Sequence, residues 1–377
     1  MSQTTLDPTT LLNSTAHRLT LHAILSPTGG KDRIQPAGFP EIGHVIYPSP
    51  QSDGTVRNVC IVDSAASMAN HLETVCHEGR FGMDLHPDLA GLPHVQCVTD
   101  DASGGKTRLV VTTLSEGHRL ASSLFTDDKS KVEAPASIKG KNLGAVLLTD
   151  EFKLEDLGKR SHPLPADWWN VFKAIFKYDP NSLVHGILFP AMGIKIPRAL
   201  TAQLDAIDAA RVASSGVKFD KLLLTTSGQP IFAKDEETAT EIRATFVLDL
   251  SLIRSFGRGN NGLNTAQKTF LIAFSLWKIG QLLRHPFSYR SGCDLEFKAL
   301  IVNGEAPIAT LPEINISDFM GEGVFAEPAA DRITKIYWKK EDIFKKAIAK
   351  KDTAEDGAEA DDTASDDDST TEAEDEA

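Results

Sequence analysis

The sequence predicts an α+β domain of the split βαβ, or ferredoxin-like, kind that is enlarged by insertions. Apolar residues alternate over residues 17–25 as in a strand, and they recur at helical spacing over residues 64–77. A strongly apolar strand is predicted at 243–254, then the longest helix at 265–283 and a strand at 295–302. Strands and helices in this order are typical of the class.

A long insertion separates the first helix from the strand at 243–254, and it carries predicted elements of its own. They are strands at 95–98 and 107–113 around a turn at 101–105, a short helix at 115–125, and helices at 165–177 and 180–189 that each begin near a proline. Residues 126–145 are polar and charged, as expected of an inserted segment. Residues 332–338 predict a last strand at a sheet edge, followed by a basic helix at 341–351.

The chain divides into a flexible N-terminus at 1–14, a folded domain at 15–351 and an acidic tail at 352–377. The tail contains 13 Asp or Glu residues, no Lys or Arg, and no aromatic or branched aliphatic residue. Because it cannot bury enough apolar surface to offset its ordering entropy, we predict that it is disordered. Without those 13 of the 52 acidic residues, the rest of the chain has 39 acidic and 39 basic residues, which permits nucleic-acid binding without indicating it.

Composition places the chain among cytoplasmic globular proteins. Its apolar content of 41% is ordinary, and no run approaches the roughly 18 apolar residues that a membrane span needs. The four cysteines, Cys60, Cys76, Cys97 and Cys293, are scattered without a C-x-x-C pair, as expected in a reducing compartment. The N-terminus MSQTTLDPTT lacks the basic and apolar regions of a signal peptide. We expect no membrane association.

No motif in the sequence predicts a catalytic centre, a metal ion or a cofactor. Ser103-Gly-Gly-Lys-Thr107 is not a phosphate loop, because Asp100 stands where the first glycine is needed and the lysine leads into a strand. Two Ser-x-x-Lys pairs have none of the companion motifs of serine–lysine enzymes. The histidines show no metal-binding spacing. The glycine-rich segment 254–262 could be a phosphate-binding loop or a mobile connection, and the sequence leaves both open.

Two segments carry a resemblance to a known family. The first is Lys31-Asp-Arg-Ile-Gln-Pro-Ala-Gly-Phe-Pro-Glu-Ile-Gly43, and the second is Val59-Cys-Ile-Val-Asp-Ser-Ala-Ala-Ser-Met-Ala-Asn-His-Leu-Glu73. Shorter similar segments are found at 176–186, 197–202, 215–218 and 290–295. In their order and spread over most of residues 15–300, they resemble the RAMP-type backbone subunit of the type I-U, also called type I-G, CRISPR surveillance complex.

The resemblance implies a fold, a function and a set of partners. The fold would have an RNA-recognition-like core with large helical insertions. The protein would be a non-enzymatic subunit whose copies stack along the CRISPR guide RNA and hold it for pairing with target DNA in antiviral defence. Its partners would be the guide RNA, target DNA through the guide, copies of itself and the other subunits of the complex. No cofactor is implied.

A backbone subunit of this kind must grip phosphate and sugar regardless of sequence, which leaves the base edges available for pairing. The predicted RNA-binding residues lie in polar segments that contain Gly, Pro or Ser: Lys31, Arg33, Gln35, Ser67, Asn70, Arg198, Lys218, Arg254 and Arg258. Ser64 is placed to cap the helix at 64–77. For Ser67 and Asn70, a solvated helix face is an almost equal alternative.

Two other functions remain open from the sequence. Some relatives in other CRISPR types cut RNA with a loop aspartate, so Asp32 and Asp63 are candidates, by position only, in a metal-dependent ribonuclease. An unrelated small-molecule enzyme with an α+β fold is the third reading. Cleavage of RNA with Mg²⁺ would support the ribonuclease, and an ordered pocket lined by titratable groups would support the small-molecule enzyme.

Overall fold

A seven-stranded antiparallel sheet runs through the centre of the fold. The computed structural model describes residues 6–39, 43–79, 84–101, 103–154, 163–212 and 236–343, and every structural statement concerns these residues. The strands are, in chain order, β1 (Arg18–Pro27), β2 (Gly38–Phe39), β3 (Gly43–His44), β4 (Ile46–Pro50), β5 (Val56–Asp63), β6 (His94–Thr99), β7 (Arg108–Thr112), β8 (Lys131–Ala134), β9 (Ile187–Phe189), β10 (Ile194–Ile196), β11 (Leu200–Ile207), β12 (Ala210–Val212), β13 (Glu236–Thr238), β14 (Glu241–Asp249), β15 (Gly257–Arg258), β16 (Asn261–Gly262), β17 (Phe287–Arg290), β18 (Cys293–Val302) and β19 (Ile333–Tyr337).

Helices pack on this sheet and fill the connections between its strands. They are α1 (Pro8–Asn13), α2 (Ala65–Thr74), α3 (Ser123–Thr126), α4 (Leu143–Ala145), α5 (Trp168–Tyr178), α6 (Pro180–His185), α7 (Leu250–Ser255) and α8 (Thr265–Arg284). A π-helical segment, Val146–Glu151, continues α4. None of the helices in the described ranges is long and apolar enough to cross a membrane.

The large sheet has the strand order β17-β18-β1-β14-β11-β5-β4, and its neighbouring strands are antiparallel. Four of these strands, in the order β18-β1-β14-β11, form the ferredoxin-like core. Helix α2 belongs to the connection from β1 to β11, and α8 connects β14 to β18. The predicted fold class is therefore confirmed. The β4–β5 hairpin widens the sheet beside β11, and β17 widens the opposite edge.

The alternation of apolar residues in the central strands explains which face of the sheet is buried. In β1, Leu19, Leu21, Ala23 and Leu25 are buried, and the residues between them are more exposed. Strand β14 alternates in the same way. Both α2 and α8 contact the sheet and each other, and residues 269–279 of α8 are all buried, so α8 is the central helix of the core.

The insertion between α2 and β11 is built around a second sheet, with the strand order β7-β6-β19-β8. Strands β6 and β7 pair antiparallel around the predicted turn. Strand β19 lies between β6 and β8 and runs parallel to β6, so the prediction of an edge strand is wrong. Residues 126–145 include β8 and α4. The strands predicted at 95–98 and 107–113 correspond to β6 and β7. The helix predicted at 180–189 ends at His185, and residues 187–189 form β9 instead.

Two other predictions differ from the structure. The strand predicted at 243–254 ends at Asp249, whose carboxylate accepts the N–H of Leu252 at 2.8 Å and so caps α7. The N-terminus, predicted to be flexible at 1–14, contains α1 with Leu6 and Leu12 buried in the core. The acidic tail at 352–377, most of the predicted basic helix and the region around Lys218 lie outside the described residues.

Candidate nucleic-acid interface

Asp63, the last residue of β5, is the centre of a polar cluster at the start of α2. Its Oδ1 accepts a hydrogen bond from Arg290 Nη2 at 2.6 Å, and its Oδ2 accepts one from His71 Nε2 at 2.9 Å. Ser67 Oγ donates to the same Oδ2 at 3.0 Å. The Asp63 side chain is only 1% exposed, so these donors take the place of water. The cluster joins β5, α2 and β17.

The charge of Asp63 is stabilised by these neighbours. Burial raises the pKa of its carboxyl, but the hydrogen bond from His71 and the charge of Arg290 outweigh burial, so the pKa of Asp63 lies below the ordinary value of 3.8. The rings of Phe287 and Tyr289 meet the His71 imidazole edge-on, with centroid distances of 5.2 and 5.3 Å, and hold it in place. Asp63 is therefore ionised at neutral pH.

The loop after β1 reaches this cluster through backbone hydrogen bonds. The N–H of Gln35 donates to the carbonyl of Gly292 at 2.9 Å, and the N–H of Ala37 donates to the carbonyl of Val62 at 2.9 Å. The first bond ties the loop to the turn between β17 and β18, and the second ties it to the end of β5. The predicted loop therefore lies beside the Asp63 cluster.

Lys31 and Arg33 are exposed on the same loop, but their surroundings differ. Arg33 Nε bonds to Glu236 Oε2 at 3.0 Å, and Arg33 Nη1 bonds to Asp32 Oδ1 at 3.2 Å. Lys31 forms no ion pair within the described part of the chain. A phosphate that approaches Arg33 must compete with two carboxylates, whereas Lys31 can bind a phosphate without losing a partner.

Arg198 lies at the N-terminus of α2, although it is distant from α2 in sequence. Its Nη1 donates to the carbonyl of Ala65 at 3.1 Å. Ser64 caps the helix as predicted, since its Oγ accepts the N–H of Ser67 at 3.2 Å. The N–H groups of a first helical turn and the positive end of the helix dipole attract anions, so they add to the charge of Arg198. Asn70 is exposed one turn further along.

Two of the other predicted residues, Arg254 and Arg258, do not join this group. Arg254 donates to three backbone carbonyls between residues 11 and 16, at 2.8, 2.8 and 3.0 Å, so its guanidinium holds α1 in place. We therefore leave Arg254 out of the proposed RNA contacts. Arg258 is exposed on the short β15–β16 hairpin, which packs against α5. Lys218 lies outside the described residues.

The sequence analysis misses Arg290 and His71 as members of the site. Arg290 opens the family-like segment 290–295, which is a signal, but its partner Asp63 is 227 positions away. His71 is eight positions from Asp63 and bonds to it across two turns of α2. A search for spacing among histidines alone does not find this carboxylate partner.

The two ribonuclease candidates are both paired with arginine. Asp63 bonds to Arg290, His71 and Ser67, so both of its oxygens are already used. Asp32 is exposed and bonds to Arg33. No group of His, Cys, Asp and Glu in the described ranges is arranged to hold a metal ion. A ligand that reaches this cluster therefore meets hydrogen-bond donors and positive charge.

A sequence profile of the family described as CRISPR-associated protein GSU0053 matches residues 19–211, just over half of the 377-residue chain. The chain belongs to this family. The GSU0053 match runs from β1 into β12 and includes the loop after β1, α2 and Arg198, so the resemblance found in the sequence is confirmed at the level of the family. Arg254, Arg258 and Arg290 lie beyond the matched residues.

No curated protein shows a significant match in sequence to this GSU0053-family chain. Among solved structures, a chain of a "CRISPR RNA-guided surveillance complex, pre-nicking" matches with 13% identity and a TM-score of 0.30, over 76% of this chain and 77% of that chain.

Proposed function

We propose that this protein is a guide-RNA-binding backbone subunit of a type I-G CRISPR interference complex. Copies of it stack head to tail along the guide RNA and, with the other subunits, hold the guide for pairing with target DNA. A head-to-tail contact that does not close gives an open filament of this kind. The subunit binds and does not catalyse, and it works in the cytoplasm. Membership of the GSU0053 family supports the CRISPR role.

The observation that carries the proposal is the meeting of four segments around Asp63. The loop after β1, helix α2, Arg198 and the β17–β18 turn are far apart in sequence, yet hydrogen bonds connect each of them to its neighbour. All but the turn lie within the residues that match the family. Predicted RNA-binding residues from three separate segments are thereby collected at one place.

The chemistry of this place suits the sugar–phosphate backbone of RNA. Phosphate oxygens accept hydrogen bonds from Arg and Lys, from Asn and Gln, and from helix N-termini, and none of these contacts depends on the base. An open carboxylate would repel the backbone. Because Arg290 and His71 bond to Asp63, its negative charge is compensated within the fold. The cluster can therefore support an RNA-binding surface.

We expect Lys31→Ala to weaken binding of single-stranded RNAs of different sequence by a similar factor. A lost phosphate contact lowers the slope of log affinity against log salt concentration by roughly 0.7 for a single strand. Arg33→Ala should have a smaller effect, because Arg33 must leave Glu236 and Asp32 to reach a phosphate. Fluorescence anisotropy of labelled RNA at several salt concentrations measures both quantities.

The matched control is Lys131→Ala, which removes an exposed lysine from β8 in the second sheet. Its RNA affinity and salt slope should equal those of the wild type. Unchanged affinity and slope in the Lys31→Ala variant would remove the loop from the RNA site. Cleavage of RNA by the wild-type protein with Mg²⁺ would favour the ribonuclease reading instead.

A further inference from the structure

A cavity of about 600 Å³ opens beside Arg198. Its walls come from the segment before α3, from the end of α6 with β9, and from β10 and the residues that follow it. Leu188 on β9 lies opposite Lys195 on β10, so an exposed apolar side chain and a positive charge share one face of this hairpin. Arg198 adds a second positive charge to the cavity. Among the described residues that line it there is no Asp or Glu.

His185 lies in the wall of this cavity and lacks hydrogen-bond partners. It is 1% exposed, and neither Nδ1 nor Nε2 has a partner among the described residues. Burial, together with the charges of Lys278, Arg119 and Arg198, lowers the pKa of His185 well below 6.5, so its ring is neutral and carries one N–H donor. Both ring nitrogens are also shielded from the cavity, so the neutral ring contributes to the shape of the wall and not to its hydrogen bonding.

Backbone contacts fix the shape of the cavity. The N–H of Ala199 donates to the carbonyl of Val184 at 2.9 Å and joins α6 to the start of β11. Gly186 has a φ of +81°, and a Cβ there would come within 2.9 Å of the carbonyl oxygen of Ile196. Glycine is therefore required for the end of α6 to approach β10 this closely. The cavity is built on fixed backbone.

Arg119 also lines the cavity, but a buried carboxylate compensates its charge. Arg119 bonds to both oxygens of Glu73, at 2.7 and 2.9 Å, and Asn181 Nδ2 donates to Glu73 Oε1 at 2.6 Å. Lys195 and Arg198 have no such carboxylate partner in the part of the chain that the structure describes. The positive charge available to a ligand is therefore that of Lys195 and Arg198.

We propose that this cavity binds one nucleotide unit. Its phosphate lies between Lys195 and Arg198, and its base or sugar lies against the exposed side chain of Leu188. The volume is within the range of roughly 300–1,000 Å³ that is typical of small-ligand sites. The inference deepens the proposed function and rests on it for the source of the ligand, which is then a nucleotide of the bound RNA. A free nucleotide offers the same chemistry.

Calorimetric titrations of the full chain with uridine 5′-monophosphate, uridine and inorganic phosphate test the cavity by itself. We expect the monophosphate to bind more tightly than either uridine or inorganic phosphate, because only the monophosphate contacts both the two cations and Leu188. Lys195→Ala should lower the monophosphate affinity roughly tenfold, since it removes a charge-assisted hydrogen bond. Lys131→Ala, the exposed control on β8, should leave that affinity unchanged.

A second variant, Arg198→Ala, tests the other cation, and it should also lower the monophosphate affinity. Arg198 Nη1 bonds to the carbonyl of Ala65, so urea unfolding of this variant checks that a lower affinity is not a loss of folded protein. Unchanged monophosphate affinity in both Lys195→Ala and Arg198→Ala would overturn the inference. The exposed position of Lys195 keeps the test valid if Arg198→Ala does not fold.

Titration with oligouridylate RNA distinguishes failure of this inference from failure of the proposed function. If RNA binds, the monophosphate does not, and Lys195→Ala and Lys131→Ala have equal RNA affinities, the cavity site is overturned and the proposed function stands. If the monophosphate binds in a manner sensitive to Lys195→Ala but RNA does not bind, the cavity is a free-nucleotide site and the proposed function is overturned.

Discussion

Asp63 joins three segments of the chain through one buried carboxylate. Arg290 from β17 and both His71 and Ser67 from α2 bond to it. Breaking a buried ion pair by removing one partner costs about 3–5 kcal/mol, because the remaining charge has no compensation. Arg290 is 27% exposed, so water can partly compensate its charge. The cost at this site should therefore fall at the low end of that range.

We expect Asp63→Asn to lower the free energy of unfolding at neutral pH by about 3 kcal/mol. The pKa of Asp63 is lower in the folded state than its ordinary value of 3.8. Its stabilising contribution is therefore complete above the unfolded value and is lost as the pH falls through the folded value. The difference between wild type and variant should shrink below about pH 4. Urea unfolding at several pH values measures it.

Asp331→Asn, at an exposed position, is a control that should leave the unfolding free energy nearly unchanged. A wild-type advantage over Asp63→Asn that stays constant into the acid range would contradict the role of the Asp63 charge.

Only part of the candidate site follows from the sequence. Gln35, Ser67 and Arg198 are found because they lie in family-like segments, and the structure brings these segments together. The bond between Asp63 and Arg290 does not follow, because it depends on how the large sheet brings β17 close to the end of β5. No local pattern of charge or periodicity records such a contact.

At the scale of elements, three polar side chains of helix α2 and its cap have different roles. Ser64 caps the helix, and Ser67 donates to Asp63. Asn70 is exposed, and its backbone carbonyl accepts a bond from Thr74. Of these two predicted RNA contacts, Asn70 is therefore the better candidate, because the Ser67 hydroxyl already bonds to Asp63.

We expect Asn70→Ala to reduce RNA affinity with little change in melting temperature, because its side chain is exposed. Ser64→Ala should instead lower the free energy of unfolding by about 1 kcal/mol, because the helix loses its cap. Thermal melting and RNA titration of both variants measure the two effects. Normal RNA binding by Asn70→Ala would return Asn70 to an ordinary solvated helix face.

Element types were more predictable than element boundaries. The apolar pattern that predicts a strand to residue 254 continues into α7, where Leu250 and Ile253 are buried. A short buried helix and a strand extension have similar apolar runs, so periodicity cannot separate them. Only the cap at Asp249, which bonds to Leu252, marks the change. The long helix α8 was predicted correctly because its length and capping residues leave little ambiguity.

At the scale of the whole molecule, the acidic tail at 352–377 remains a prediction from the sequence. Its 13 carboxylates are tethered to a body that has equal numbers of acidic and basic residues. The tether should keep them at high effective concentration near any basic surface of the same molecule. We expect deletion of 352–377 to leave folding intact and to strengthen RNA binding modestly at low salt. Near physiological salt, where the Debye length is about 8 Å, the difference should vanish.

Titration of fluorescent RNA into the full-length and truncated proteins at two salt concentrations measures this effect. Equal affinities at low salt would leave the tail as a solubilising segment.

The position of β19 affects how the protein can fold during its synthesis. This strand pairs with β6, where Ile333 lies opposite His94, and with β8 on its other side. Until the ribosome has made β19, the facing edges of β6 and β8 have no partner strand, and such edges favour aggregation. The ferredoxin-like core is complete once β18 has been made, so it can form earlier. The second sheet must wait until translation has passed residue 337.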